Sequence, residues 1–108
     1  MNFKEYQDKI KVTAQYPNNV RILYPTLGLC GEAGEVAEKV KKVFRDNNGH
    51  FTEDKIAEIT KELGDVLWYI QAMCNDLNIN MQDVAQANVD KLLSRLERNV
   101  IQGNGDNR

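Results

Sequence analysis

Two pairs of carboxylates have the type and spacing to do chemistry. Glu32 and Glu35 lie in Gly31-Glu32-Ala33-Gly34-Glu35, and Glu62 and Asp65 in Glu62-Leu63-Gly64-Asp65. Each pair is spaced i, i+3, which makes the two side chains neighbours on a helix. Like charges so placed destabilise a bare helix by about 0.2–0.5 kcal/mol per pair. Two helices that carry such pairs and pack together bring four oxygen ligands to one point. Hard divalent cations such as Mg²⁺ and Mn²⁺ favour that donor set, with water and phosphate oxygens completing it. Gly28, Gly31 and Gly34 recur every third residue, and Gly64 splits the second pair. Each glycine in a helix interior costs about 0.8–1.0 kcal/mol relative to alanine, which implies a local need for space, for a neighbouring helix or a bulky ligand. One acidic pair alone is usually a solvated face. Two pairs, both interleaved with glycine and both bordering an apolar seam, bring a metal site level with that reading, and spacing alone leaves both open.

The elements that must position these acids are helices. The first is predicted from Phe3 to Gln15, with Asn2 as N-cap and Glu5 three residues on. Tyr16-Pro17-Asn18-Asn19 is turn chemistry. The second begins near Tyr24-Pro25 and runs to about Arg45, where Asp46-Asn47-Asn48-Gly49 stops it. Thr52 caps the third, whose apolar positions from Ile56 through Ile59, Leu63, Leu67, Ile70 and Cys74 to Leu77 keep helical spacing. Asn80 caps a fourth, from Met81 to Val100. At about 100° per residue, Glu32 falls on the edge of the second helix's apolar face and Glu35 just beyond it. Glu62 lies about 90° from the centre of the third helix's apolar face, with Asp65 and Tyr69 further round. The fold class expected is all-α, an antiparallel helical bundle of four main helices, completed by homo-oligomerisation because the apolar stripe of the third helix exceeds what one partner covers. Residues 1–100 form one domain, and 101–108 are expected to be a disordered tail.

Composition sets the limits. A net charge of −2 with scattered cations argues against a nucleic-acid polymer as partner. With 42% hydrophobic and 28% charged residues the chain is of ordinary globular composition. No run approaches the roughly 18 apolar residues of a membrane span, so no membrane partner is expected. The opening Met1–Lys11 is charged from Lys4 and has no apolar stretch, so a secretory signal is not expected and a cytoplasmic location is. Cys30 and Cys74 lie within apolar helical patterns without CxxC spacing, which predicts buried reduced thiols. His50, alone in a loop-like run, reads as a surface residue.

The run Leu29-Cys30-Gly31-Glu32-Ala33-Gly34-Glu35-Val36-Ala37-Glu38, followed by Glu62-Leu63-Gly64-Asp65-Val66-Leu67-Trp68-Tyr69, resembles the MazG-like nucleotide pyrophosphohydrolases of the all-α NTP pyrophosphatase superfamily. Their pattern is ExxE, a variable gap, then ExxD, and here 26 residues separate Glu35 from Glu62. The likeness covers residues 3 to 98, including Phe3-Lys4-Glu5-Tyr6-Gln7. It implies an all-α fold whose motif helices line a Mg²⁺-dependent site, in which Mn²⁺ can substitute, within homodimers or homotetramers. Glu32, Glu35, Glu62 and Asp65 match the family's metal ligands. Asn88, Lys91 and Arg95 match an Asn-x-x-Lys-x-x-x-Arg element associated with phosphate and sugar contacts, and positions i, i+3 and i+7 do share one helix face. Tyr69, one turn after Asp65, can hydrogen-bond a substrate group or simply sit on the rim. Trp68 reads as core rather than as a base-stacking platform. Glu38 can assist a water, although a solvated glutamate is its ordinary meaning. Lys39, Lys42 and Arg45 read mainly as helix-surface cations.

The activity implied by the resemblance is hydrolysis of an NTP or dNTP to the (d)NMP and pyrophosphate, serving to sanitise the nucleotide pool. A triphosphate carries about four negative charges, so an acidic site needs the metal to receive it. Glu35 is the candidate to orient or deprotonate the attacking water, and Lys91 and Arg95 to hold the leaving phosphates. The rivals are a related dUTPase, dCTPase or phosphoribosyl-ATP pyrophosphohydrolase, and a non-enzymatic helical oligomerisation or regulatory module. Base choice depends on the first helix and its loop, where the sequence carries no base-specific signature.

Overall fold

The computed structural model describes residues 1–108 as four α-helices with no strand. α1 spans Phe3–Ile10, α2 Leu23–Asn47, α3 Glu53–Leu77 and α4 Met81–Glu97, with short 3₁₀ turns at Lys11–Thr13 and Asn18–Val20. The caps anticipated from the sequence form. Asn2 Oδ1 accepts the Glu5 amide at 2.9 Å, Thr52 Oγ1 that of Lys55 at 3.2 Å, and Asn80 Oδ1 that of Gln82 at 2.8 Å.

Helix ends depart from the sequence reading where local bonds compete. α1 stops at Ile10 rather than Gln15. The Thr13 hydroxyl donates back to the Ile10 carbonyl at 2.7 Å, and Pro17 bars Tyr16 from helical backbone. α2 starts at Leu23, so Pro25 sits in its first turn, where no amide donor is missed. At its far end Asn48 (φ 53°) and Gly49 (φ 77°) turn left-handed, and the Gly49 amide closes on the Val43 carbonyl at 3.2 Å. α4 ends at Glu97, short of Val100, because Asn99 adopts φ 57° and the Val100 amide turns back to the Arg95 carbonyl at 2.8 Å.

α2 packs chiefly on α3, and α1 lies across α3 and α4. The chain turns back between Asn47 and Glu53, and contacts then pair Lys39 with Glu62, Glu32 with Asp65, Gly28 with Tyr69 and Thr26 with Met73. The buried apolar residues are few: Ile10, Val43, Ala72, Cys74 and Met81. Only 8 of 108 residues are buried, and the radius of gyration is 16.9 Å, against about 13 Å for a compact chain of this length. Leu27 (64% exposed), Phe44 (62%), Leu63 (53%) and Leu96 (61%) leave apolar surface on three of the helices. Cys30 is exposed, contrary to the sequence expectation, whereas Cys74 is buried. The surface of α2 beside Cys30 has no neighbour, since a β-carbon on Gly31 would meet nothing within 4 Å. No helix is long and apolar enough to cross a membrane.

Candidate active site

The acids come together where α2 faces α3. One oxygen each from Glu32, Glu62 and Asp65 lies within 4.8 Å of the other two. Oxygens bound to one divalent cation at about 2.0–2.6 Å stand no more than about 5 Å apart, so the three side chains fit a shared ion. Their electrostatics also fit one. Glu32 is held above the ordinary carboxylate range, first because it shares a hydrogen bond with Glu62, then through partial burial and the charges of Asp65, Glu62 and Glu35. Lys39 Nζ approaches Glu62 at 3.7 Å. One ammonium facing three carboxylates leaves a net negative charge that a divalent cation would offset.

Glu35 is exposed and stands outside the trio, although its charge reaches Glu32. Glu38 turns away to Lys41 at 2.9 Å and Lys42 at 3.7 Å, and the Lys41 contact pulls its carboxyl down. That is the environment of a solvated surface glutamate.

Glu32 and Asp65 share the lining of a cleft of about 620 Å³ with Thr13, Gln15, Tyr16, Pro17, Tyr24, Trp68 and Tyr69. Four aromatic rings form a continuous series. Tyr16 stacks on Tyr24 with centroids 4.7 Å apart and planes 18° off parallel; Tyr24 and Tyr69 lie at 6.4 Å; Tyr69 meets Trp68 edge-on at 5.0 Å. Burial, then Tyr24 and Glu32, push the Tyr69 hydroxyl up, and burial followed by Asp65 does the same to Tyr6. Trp68 belongs to this wall rather than to the core, and its indole N–H donates to Thr13 Oγ1 at 2.8 Å. The geometry follows from spacing: residues 68 and 69 stand three and four positions after Asp65 and therefore share its face.

Of the four glycines near the acids, one has its reason within the chain. A β-carbon on Gly28 would fall 2.1 Å from Tyr69 Cε1, so the glycine lets the ring lie against α2. At Gly31, Gly34 and Gly64 a β-carbon would meet nothing within 4 Å.

Asn88, Lys91 and Arg95 do not line the cleft. Asn88 is exposed on α4, Lys91 Nζ binds the Asp106 carboxylate at 2.8 Å, and the buried Arg95 reaches the same oxygen at 3.2 Å. These two cations hold Asp106 below the usual carboxylate range. Residues 101–108 form no helix or strand, and the Arg108 guanidinium donates to the Val100 and Ile101 carbonyls at 3.0 Å each.

Thr13, Gln15, Tyr16, Pro17 and Tyr24 have no part in the sequence-derived site. The signal available for three of them is a repeated Tyr-Pro, at Tyr16-Pro17 and Tyr24-Pro25. Read alone, each is only a turn or a helix start.

Comparison with known proteins accords with this geometry. The MazG nucleotide pyrophosphohydrolase domain matches residues 24–100. The chain is 45% identical over 114 residues to the "Gene 37 protein" of Mycobacterium phage L5, with all of both chains covered. No solved structure matches.

Proposed function

This chain belongs to the MazG nucleotide pyrophosphohydrolase family, and on that premise we propose that it hydrolyses a nucleoside triphosphate to the monophosphate and pyrophosphate in a Mg²⁺-dependent site. The observation that carries this reading is that three carboxylates from two helices converge within 4.8 Å, two of them, Glu32 and Asp65, lining a cleft walled by aromatic rings. Glu32, Glu62 and Asp65 hold the ion, with Glu35 as the fourth, outlying carboxylate, and Mn²⁺ suits the same oxygens. When bound, the metal supplies charge compensation for the phosphates and an activated water. Glu35 would orient an attacking water from the solvent side. The rings of Tyr16, Tyr24, Tyr69 and Trp68 take the base by stacking, which tolerates any planar heterocycle. Tyr69 also offers its hydroxyl to the sugar or base.

Asn88, Lys91 and Arg95 keep the phosphate and sugar roles that their motif carries. Since they lie outside the cleft of one protomer, we tie those roles to assembly of α4 against a second copy. The open shape and the apolar faces of α2, α3 and α4 support a homo-oligomer in which the helices pack antiparallel. A cytoplasmic role in sanitising the nucleotide pool belongs to the same reading.

Purified protein given nucleoside triphosphates and Mg²⁺ releases pyrophosphate, and chelation abolishes the release. Orthophosphate as the sole first product would overturn the assignment. A panel that includes dUTP, dCTP and phosphoribosyl-ATP identifies the preferred base. Titration calorimetry with Mn²⁺ separates the enzyme from a helical scaffold, which has no saturable site. Sedimentation of a stable monomer would refute the oligomer.

A further inference from the structure

We propose that Asp76 is the positioning residue for the aromatic wall: its carboxylate ties the segment Tyr16–Ile22 to the end of α3 and so fixes the Tyr16–Tyr24 stack that receives the base. The proposal rests on the nucleotide reading of the cleft given above. Asp76 lies in the last turn of α3, where the partial negative charge of the helix end disfavours an anion. Its side chain is nonetheless only 10% exposed. Such a placement needs compensating partners, and every one that the structure gives it comes from the segment between α1 and α2.

Asp76 Oδ2 accepts both the Tyr16 hydroxyl at 2.7 Å and the Ile22 amide at 2.9 Å. The Arg21 guanidinium approaches Oδ1 at 3.5 Å and donates to the Asp76 main-chain carbonyl at 3.2 Å. Ile22 has φ 68°, a conformation that a β-branched residue adopts only when its surroundings impose it. Its carbonyl is held on the other side by the Thr26 amide at 3.0 Å and hydroxyl at 2.6 Å. The strained residue is thus fixed at both polar groups, one by Asp76 and one by the first turn of α2. That turn has no side-chain cap, so Asp76 sets where α2 starts and where Tyr24 stands. With Tyr16 held by the same oxygen, both members of the stack depend on one carboxylate.

Asp76 stands eleven residues beyond Asp65 on one helix, about 16 Å along the axis. It therefore acts on substrate through the wall and not through the metal ligands. Removing it weakens nucleotide binding while sparing the acids.

The test compares wild type with Asp76→Ala, Asp76→Asn and Tyr16→Phe, measuring kcat and KM for a nucleoside triphosphate and Mn²⁺ affinity by calorimetry. Asp76→Ala is expected to raise KM about tenfold, near the lower bound for a lost base–aromatic stack. Its kcat stays within about twofold and its Mn²⁺ affinity is unchanged, the pattern of lost uniform binding. Asp76→Asn, which keeps an acceptor for Tyr16 and Ile22 but loses the charge facing Arg21, gives a smaller rise. Tyr16→Phe, which keeps the ring and breaks the tether, also raises KM. If Asp76→Ala does not fold, the other two variants carry the test. An unchanged KM in the folded variants overturns the role of Asp76, as does a joint loss of kcat and Mn²⁺ affinity, which would mark a merely structural residue. A wild type that releases no pyrophosphate instead brings down the nucleotide reading itself.

Discussion

The acidic and aromatic sides of the cleft are built in different ways. Glu32, Glu62 and Asp65 all project from the interiors of α2 and α3, where helical repeat fixes each side chain's direction. Tyr16, Pro17 and Gln15 come from the irregular segment between α1 and α2, which is tied to α3 by single bonds, Tyr16 to Asp76 and Thr13 to Trp68. The acids thus sit on rigid elements, whereas the aromatic wall joins three rings on α2 and α3 to Tyr16, on a segment held by a few bonds. Changes on the acidic side should lower metal affinity and turnover, and changes on the aromatic side should fall mainly on KM.

The largest expected effect falls on the acidic side. Glu62→Gln keeps the size of the side chain and removes one charge from the trio, so the fold persists while Mn²⁺ affinity and pyrophosphate release fall by about 100-fold or more, at least the loss seen for residues that only support metal ligands. The same factor is expected for every nucleoside triphosphate. If Glu62→Gln hydrolyses normally, the acids are not the site. Tyr24→Ala removes the second of the four rings in the series and should raise KM about tenfold with kcat little changed. An equal loss of kcat would erase the distinction between the two sides.

Two glycines sharpen the contrast through stability. Gly28→Ala drives a methyl group into the Tyr69 ring, and overpacking of this kind costs about 1–3 kcal/mol. Gly64→Ala meets open space within the protomer, and alanine's better helix propensity should add about 1 kcal/mol. Thermal unfolding should rise by about 4 °C or more for Gly64→Ala, and fall for Gly28→Ala by what the overpacking leaves after the same propensity gain. Destabilisation by Gly64→Ala would show that another chain occupies that face in solution.

The acidic side was legible in the sequence because i, i+3 spacing on amphipathic helices fixes which side chains converge. Glu32, Glu62 and Asp65 follow from that rule, together with the caps at Asn2, Thr52 and Asn80. Glu35 shows its limit: the three-residue step that keeps Asp65 beside Glu62 leaves Glu35 exposed beyond the trio, because spacing along one helix does not say which of its residues the neighbouring helix faces. The aromatic wall was not legible. Tyr16 reaches Asp76 across sixty positions of sequence, and no periodicity links them. Ile22 in left-handed backbone runs against its own propensity, so a local reading places no such turn there. Trp68 was assigned to the core because an apolar ring in an apolar helix is usually buried, whereas its indole N–H faces Thr13 from the irregular segment. The apolar residues on α2, α3 and α4 obey the helical pattern but not burial in one protomer, because periodicity names a face and not what covers it.

The smallest effect probes the aromatic side without any substrate. Burial, the hydrogen bond to Asp76 and that residue's charge push the Tyr16 hydroxyl up to about 12 from an ordinary 10.0. A raised value in the folded state means that the protonated hydroxyl stabilises the fold, fully so below pH about 10, and that this contribution disappears as pH rises through about 12. In an alkaline titration followed by tyrosinate absorbance, Tyr16→Phe should remove a late-ionising step, and Asp76→Ala should shift that step back toward the ordinary value. The acidic variant Glu62→Gln should leave it in place, because Asp76 and not the trio holds Tyr16. Were Tyr16 to ionise with exposed tyrosines in the wild type, the segment would be free in solution. The aromatic side would then assemble only around bound nucleotide, and its contrast with the preformed acids would become one of timing as well as of construction.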